Sequence, residues 1–165
     1  MKTLRIIVLC LVVGLLQSCI VSGKPNIDFF ADARHEYKEA RFGSINVPVA
    51  LAKPYIKRAL RKDGESEEVI RLIRKISKIK VLTVENGSKE MLQKYTQYLN
   101  DHQFEDWATV KHDGDNVNLR VKQTGDAIKN MLITVKSDKE LVFVDVKGNF
   151  TPNDISKMIN SISDK

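Results

Sequence analysis

The sequence predicts an α+β domain in which an antiparallel sheet of about five strands carries helices packed on one face, behind an N-terminal helical region. Three observations support this class. After residue 26, the first half of the chain repeats its apolar residues at helical spacing. Four segments of the second half alternate apolar and polar residues between short turns, as strands of a meander do. The last residues return to helical spacing, so helices and strands are segregated along the chain.

The N-terminal helical region begins with a helix predicted over Ile27–Lys38, for which Asn26 is the N-cap candidate. An extended piece at Ser44–Val47 follows and ends at Pro48. A second helix is expected over Val49–Leu60.

Pro54 is comfortable only in the first turn of that second helix, because it cannot donate a backbone hydrogen bond. A third helix is expected after the N-cap Ser66, where Glu67 and Glu68 complement the positive end of the helix dipole.

The period then changes to that of strands. Ile79–Val84 is a predicted strand, and a helix over Ser88–His102 follows the turn at Asn86 and Gly87. Four more strands are expected at Trp107–His112, Val117–Lys122, Lys129–Lys136 and Leu141–Lys147. The last of these is apolar on one whole face and begins an apolar second face, which favours a central position in the sheet.

The final helix has the clearest start signal in the chain. Thr151 is the predicted N-cap, Pro152 takes the first helical position, and Asp154 completes a capping-box pair. Its expected buried stripe consists of Ile155, Met158, Ile159 and Ile162.

Residues 1–18 do not belong to this domain. Lys2 and Arg5 precede the apolar run Ile6–Leu16, which is shorter than the roughly 20 residues of a spanning helix. A charged start, a short apolar centre and small or polar residues after it are typical of a secretory signal. We therefore divide the chain into a signal peptide at 1–18, a tether at 19–26 and one domain at 27–165.

The sequence Leu16-Gln17-Ser18-Cys19 resembles a bacterial lipobox. The resemblance implies cleavage between Ser18 and Cys19 and lipid attachment to Cys19, and the alternative is an ordinary secretory signal with a chance Cys. The other Cys, Cys10, would leave with the signal, so a disulfide framework, a thiol nucleophile and a Cys-rich metal site are not expected in the domain. No acidic run follows Cys19, which by resemblance to sorting signals favours a position facing the periplasm. We expect the outer membrane, and the inner membrane is the alternative.

The mature chain resembles a family of Bacteroidota lipoproteins known only as a domain of unknown function (family 4252). The resemblance covers nearly all of the mature chain, and its motifs are structural. They are the lipobox at Cys19, the pair Phe29-Phe30, the segment Ile79–Leu82, Trp107 before a hairpin, and Val144–Phe150 before the last helix. The family implies no activity, catalytic residue or cofactor.

Catalytic and metal-binding patterns are not evident. His35 has no second His four residues away, and Asp113 to Asn116 begins like a calcium loop but is not closed by a Glu. His102 and His112 are interpreted as a helix-end cation and a strand residue. We expect no catalytic residue, no metal and no cofactor.

Charge excludes one class of partner and suggests another. Without Lys2 and Arg5 the formal net charge falls from +6 to +4, which does not indicate nucleic-acid binding. Strand alternation predicts a basic sheet face away from the helices, which would bind an envelope protein or an anionic envelope component. Its predicted members are Trp107, Lys111, Arg120, Lys122, Lys136 and Lys147. The alternative is a solvated face whose Lys residues discourage aggregation.

Three functions are therefore compared. The favoured one is a non-catalytic binding module held on the membrane through lipid on Cys19. The others are an unrecognised enzyme acting on envelope polymers and a structural or assembly lipoprotein. A deep pocket that collects His102, His112 and carboxylates would favour the enzyme.

Overall fold

The computed structural model describes residues 27–62, 64, 67–112, 114–137 and 140–163. The predicted signal peptide, Ser18, Cys19 and the tether lie outside the described residues. The helices are α1 (Phe29–Glu36), α2 (Val49–Lys62), α3 (Glu67–Lys75), α4 (Lys89–Asp101) and α5 (Pro152–Ser163). The strands are β1 (Arg41–Val47), β2 (Ile76–Glu85), β3 (Glu105–His112), β4 (Asp115–Thr124), β5 (Ala127–Lys136) and β6 (Glu140–Phe150).

The six described strands form one antiparallel sheet in the order β1-β2-β6-β5-β4-β3. The predicted α+β class is confirmed, and so is the central position of β6, which pairs with β2 and β5. The extended piece at Ser44–Val47 belongs to a full strand, so the sheet has six strands. Helices lie on both faces of the sheet, because its central strands carry apolar residues on both sides.

The front face of the sheet, which carries Leu82 and Phe143, is covered by α1 and α4. The ring of Phe30 in α1 lies 4.7 Å from that of Phe143 and 5.3 Å from that of Tyr95 in α4. Tyr95 in turn meets Phe143 edge to face at 4.8 Å. These aromatic contacts join both helices to β6 and place the front core over β2 and β6.

The back face of the sheet, which carries Leu119 and Val146, is covered by α3 and α5. Leu72 of α3 and Ile155 of α5 are buried in this second core. Gly148 permits the close packing, because a Cβ there would lie 2.7 Å from the Lys75 carbonyl oxygen.

Two helix starts are fixed by side-chain caps, of which the sequence predicted the one at Thr151. The Thr151 amide donates to Asp154 Oδ2 at 2.7 Å and the Asp154 amide donates to Thr151 Oγ1 at 3.2 Å, which confirms the capping box. The Ser88 hydroxyl accepts a hydrogen bond from the Met91 amide at 3.0 Å at the start of α4. Lys75 also pairs with Asp154 and so connects α3 to the start of α5.

The lower end of the sheet is defined as the end at which β1 finishes at Val47, β2 starts at Ile76 and β6 finishes at Phe150. Four strand pairs contain a register shift, and all four shifts lie at this end. Bulges bend and twist strands and re-aim side chains, and they are frequent beside functional sites. The lower end is therefore the irregular end of an otherwise regular sheet.

Replacing Phe30 with Ala is expected to lower the free energy of unfolding by about 3–5 kcal/mol, because the side chain is fully buried between α4 and β6. Urea unfolding measures this change. Tyr55→Ala is the matched aromatic control, since Tyr55 is 75 % exposed, and its effect should stay within about 0.5 kcal/mol. Equal losses in the two variants would contradict this packing.

Candidate functional site

Polar residues occupy the lower end of the front face, where the apolar pattern of the central strands stops. The strand register aligns Lys80, Asp145, Leu132 and Arg120 in one row across β2, β6, β5 and β4. The next row down consists of Lys78, Lys147, Asn130 and Lys122. Directly opposite residues of antiparallel strands lie on the same face, so both rows face the side of α1 and α4.

A cleft of about 260 Å³ lies over these rows. It is bounded by the start of α1, the end of α4 and the sheet. Its lining residues are Ile27, Asp28, Tyr98, His102, Phe104, Lys122, Asn130, Leu132, Asp145 and Lys147. This volume is just below the usual range for pockets that bind drug-sized ligands. A cleft of this size could hold one sugar unit or one headgroup.

Asp145 is the buried charged residue of the described chain, with 4 % of its surface exposed. Burial raises the pKa of its carboxyl group, and the positive charges of Lys147, Lys80 and Lys78 and a hydrogen bond donated by Asn130 oppose that rise. Oδ1 of Asp145 has no hydrogen-bond partner within the described residues. Such an acceptor is costly to bury without a partner, and because the atom is not exposed, a ligand would reach it only after the side chain turns towards the cleft.

Asn130, in the row below Asp145, supplies a second acceptor. Its Oδ1 atom is buried and also has no partner within the described part of the chain. Two buried oxygen acceptors therefore lie just behind the cleft lining, which also includes Lys122 and Lys147. This combination suits a ligand that has both an anionic group and neutral donors such as hydroxyls.

The end of α4 supplies the aromatic wall of the cleft. The rings of Tyr98 and His102 stack at 3.9 Å, and His102 Nδ1 lies 2.7 Å from the Tyr98 carbonyl oxygen. Because a carbonyl oxygen only accepts, Nδ1 carries the hydrogen, and Nε2 remains for a ligand. Lys122 Nζ lies 5.7 Å from the centre of the Phe104 ring, a cation–π distance.

Burial raises the pKa of the Tyr98 hydroxyl, and the negative charge of Asp28 raises it further. Both effects favour the neutral phenol, which can donate and accept hydrogen bonds.

The structure divides the six residues predicted to form one basic face. Lys122 and Lys147 line the cleft, whereas Lys111 and Lys136 lie at the opposite end of the front face. Lys136 contributes there to another pocket of about 260 Å³, together with Glu140 and Leu141. The front face is also covered by α1 and α4, so it is not a bare sheet surface as the sequence suggested.

Arg120 and Trp107 have other roles. Arg120 donates from Nη1 to Asn100 Oδ1 at 2.6 Å, and its Nη2 lies 3.4 Å from Asp106 Oδ2, so it connects α4 to the sheet. Trp107 packs with the back core instead of the front face. The reason is the register shift between Asp106 and Ala108, which adds a residue at Trp107 and reverses the alternation on which its placement was based.

A family model covers most of the chain. The family described as "Domain of unknown function (DUF4252)" matches residues 36–158. The chain belongs to the DUF4252 family. No individually curated protein matches the chain.

The DUF4252 match spans the whole sheet, α2 to α4 and the start of α5. Four strand residues of the cleft, Lys122, Asn130, Asp145 and Lys147, lie inside it. Asp28 and α1 precede Glu36 almost entirely, so one wall of the cleft lies before the matched segment.

Of the cleft residues, the sequence assigned Lys122 and Lys147 to a binding face, and it did not point to Asp28, Asn130 or Asp145. A signal for Asp145 was present, because Leu141, Phe143 and Asp145 share one face of β6 and a carboxyl group interrupts an apolar series. Asp28 had no such signal, since only the tertiary fold brings the start of α1 to the lower end.

Within the described residues, no group of three or more His, Cys, Asp or Glu residues is placed to hold a metal ion. His102 and His112 do not come together, because His102 borders the cleft while the backbone of His112 ends β3 at the opposite end of the sheet. In the same described part of this DUF4252 chain, no helix is long and apolar enough to cross a membrane.

Replacing Asp145 with Asn is expected to raise the free energy of unfolding by about 1 kcal/mol at pH 7, because it removes a buried charge and adds a donor beside Asn130. The folded-state pKa of Asp145 is raised, so protonation favours the folded protein. The advantage of the variant should therefore shrink as the pH falls through that folded-state pKa towards the ordinary Asp value of 3.8.

Urea unfolding across this pH range measures the effect, and Asp126→Asn, at an exposed turn, is the matched control. A loss of stability in Asp145→Asn at pH 7, or a gain that grows on acidification, would contradict the burial argument.

Proposed function

We propose that this chain is a lipid-anchored protein of the bacterial cell envelope whose cleft binds an anionic, hydroxyl-bearing envelope component without transforming it. The observation that carries the proposal is the buried carboxyl group of Asp145 in a cleft bordered by Lys122 and Lys147. A partly satisfied buried carboxylate costs stability, and a ligand that donates a hydrogen bond to it would offset that cost.

The charges near the cleft favour an anionic ligand. Lys78 and Lys80 act on Asp145 from β2, and Lys122 and Lys147 border the opening. Asp28 and Asp145 are the carboxyl groups of the lining. The lining itself holds two Lys and two Asp, so the positive balance comes from Lys78 and Lys80 on β2, and the acceptor oxygens of Asp145 and Asn130 add a preference for hydroxyl or amide donors.

The proposed location in the cell envelope agrees with this ligand class. Ile27 lines the cleft and begins the described chain. The eight residues Cys19 to Asn26 span at most about 29 Å when extended. Lipid on Cys19 would therefore keep the cleft close to its leaflet, which we propose is the outer membrane of a member of the Bacteroidota, on the periplasmic side.

One observation favours a second candidate, an enzyme acting on envelope polymers. The raised pKa of Asp145 would suit a proton donor, and His102 borders the same cleft. The two candidate functions can be distinguished by whether the bound material is chemically altered. An enzyme would release altered polymer and lose turnover in Asp145→Asn, whereas a binding module would return its ligand unchanged.

The double variant Lys122→Glu, Lys147→Glu is expected to retain less acidic material from envelope extract than the unchanged chain does. The amount of bound sugar- or phosphate-containing anions should fall at least about fivefold, because two attractive charges become repulsive. Chemical analysis of the material retained by the full chain measures this. The matched control is Lys111→Glu, Lys136→Glu, which makes the same charge change at the other end of the face. Equal losses in both variants, or retention of protein alone, would contradict the proposed ligand.

Replacing Cys19 with Ser is expected to move the protein from the membrane fraction to the soluble fraction or to leave an uncleaved precursor, because the acyl chains are lost. Fractionation and intact-mass measurement test this, with Cys10→Ser as the control that should retain the lipid mass. An unmodified Cys19 in the wild-type protein would refute the anchor.

A further inference from the structure

Helix α2 has an unusual charge for a surface helix. It contains five basic residues and no acidic residue: Lys53, Lys57, Arg58, Arg61 and Lys62. Most surface helices balance such charges with acidic residues at i,i+4 spacing. A basic amphipathic helix of this kind is typical of a membrane-surface element.

The outward side of α2 is also partly apolar. Leu51, Tyr55, Arg58 and Lys62 follow one another at spacings of four, three and four residues, so they form one stripe along the helix, here called the α2 stripe. All four residues are exposed. Leu51 and Tyr55 have exposed fractions of 70 % and 75 %, compared with 44 % for Ile45, another exposed hydrophobic residue.

Other basic groups of α2 serve the internal packing. Lys53 Nζ donates to the Arg74 carbonyl oxygen at 3.2 Å, and Arg61 Nε lies 3.4 Å from Glu67 Oε1. Both contacts connect α2 to α3 along its length. They fix the orientation of α2, with the α2 stripe turned away from the domain.

The position of α2 in the fold adds a second argument. β1 finishes at Val47, which pairs with Ile79, and Ile79 pairs with Val146 beside Lys147 of the cleft. The start of α2 and the cleft residue Ile27 are therefore at the same, lower end of the sheet. Ile27, the first described residue, therefore lies at the end of the sheet where α2 begins.

We propose that the α2 stripe rests on the anionic phospholipid headgroups of the leaflet that holds the N-terminal segment. Leu51 and Tyr55 would enter the boundary between headgroups and acyl chains, where an aromatic ring with a hydroxyl is favoured. Arg58 and Lys62 would meet the phosphate groups, and each basic residue near an anionic surface strengthens binding roughly fivefold. The inference that the leaflet is close to α2 rests on the proposed lipidation of Cys19. The charge and the exposure of α2 are independent of that lipidation.

Hydrogen exchange of the full chain in vesicles tests the proposal. Amide exchange in residues 49–62 is expected to be at least about fivefold slower in vesicles that contain phosphatidylglycerol than in pure phosphatidylcholine vesicles. The double variant Arg58→Glu, Lys62→Glu should lose this protection. Lys111→Glu, Lys136→Glu should keep it, because these residues lie at the upper end of the sheet.

Two further measurements keep the test decisive. Exchange in residues 140–150 of β6 should be unchanged in every variant, which shows that the fold is retained, and Leu51→Ser, Tyr55→Ser should also lose protection. The mass of the mature N-terminus in the same sample tests the lipid on Cys19 separately.

Equal exchange in both kinds of vesicle, or protection that survives Arg58→Glu, Lys62→Glu, would overturn the proposal. Protection that appears only after envelope proteins are added to neutral vesicles would assign the α2 stripe to a protein partner and would overturn the membrane surface as its occupant.

Discussion

The structure depends on strand β6, which lies between β2 and β5 and is packed on both sides. Phe143 meets Phe30 and Tyr95 on the front face, and Val146 belongs to the back core with Leu72 and Ile155. Because successive side chains of a strand point to opposite faces, β6 contributes to both cores at once. The two layers of helices are connected through this strand, which fixes the register of the whole sheet.

The candidate site lies where the front-side residues of β6 change from apolar to polar. Along the front side of β6, Leu141 and Phe143 are followed by Asp145 and Lys147. The front helices cover the apolar part, and their ends leave the polar part open as the cleft. Stability and binding are thus assigned to different halves of one strand face, and the buried carboxyl group is located at the boundary between them.

Local signals were sufficient to predict much of the fold. The capping box at Thr151, the helix that follows Ser88 and the alternation of β4 to β6 depend on neighbouring residues, and the structure confirms them. The sequence could not reveal that both sheet faces are covered, because that depends on which helices cross to which side. Trp107 was placed on the wrong face, since the bulge between Asp106 and Ala108 interrupts the alternation that holds from Ala108 to His112.

The candidate site was predictable only in part for a related reason. Lys122 and Lys147 were found because their strands alternate cleanly, but the sequence grouped them with Lys111 and Lys136 at the other end of the face. Register is a tertiary property, so distance along the sheet could not be known from each strand alone. Asp28 reaches the cleft through the packing of α1, which no local pattern describes.

The cleft and the start of α2 are both at the lower end of the sheet, so the proposed ligand site and the proposed membrane contact begin on the same side of the domain. The most direct test places a photo-reactive p-benzoylphenylalanine at Phe104, inside the cleft, in the full chain in its native envelope. Gln93, which is exposed on α4, is the control position. The account predicts a defined, non-protein adduct at position 104 and none at position 93. Absence of an adduct at 104, or the same adduct at both positions, would contradict the assignment of the cleft as the functional site.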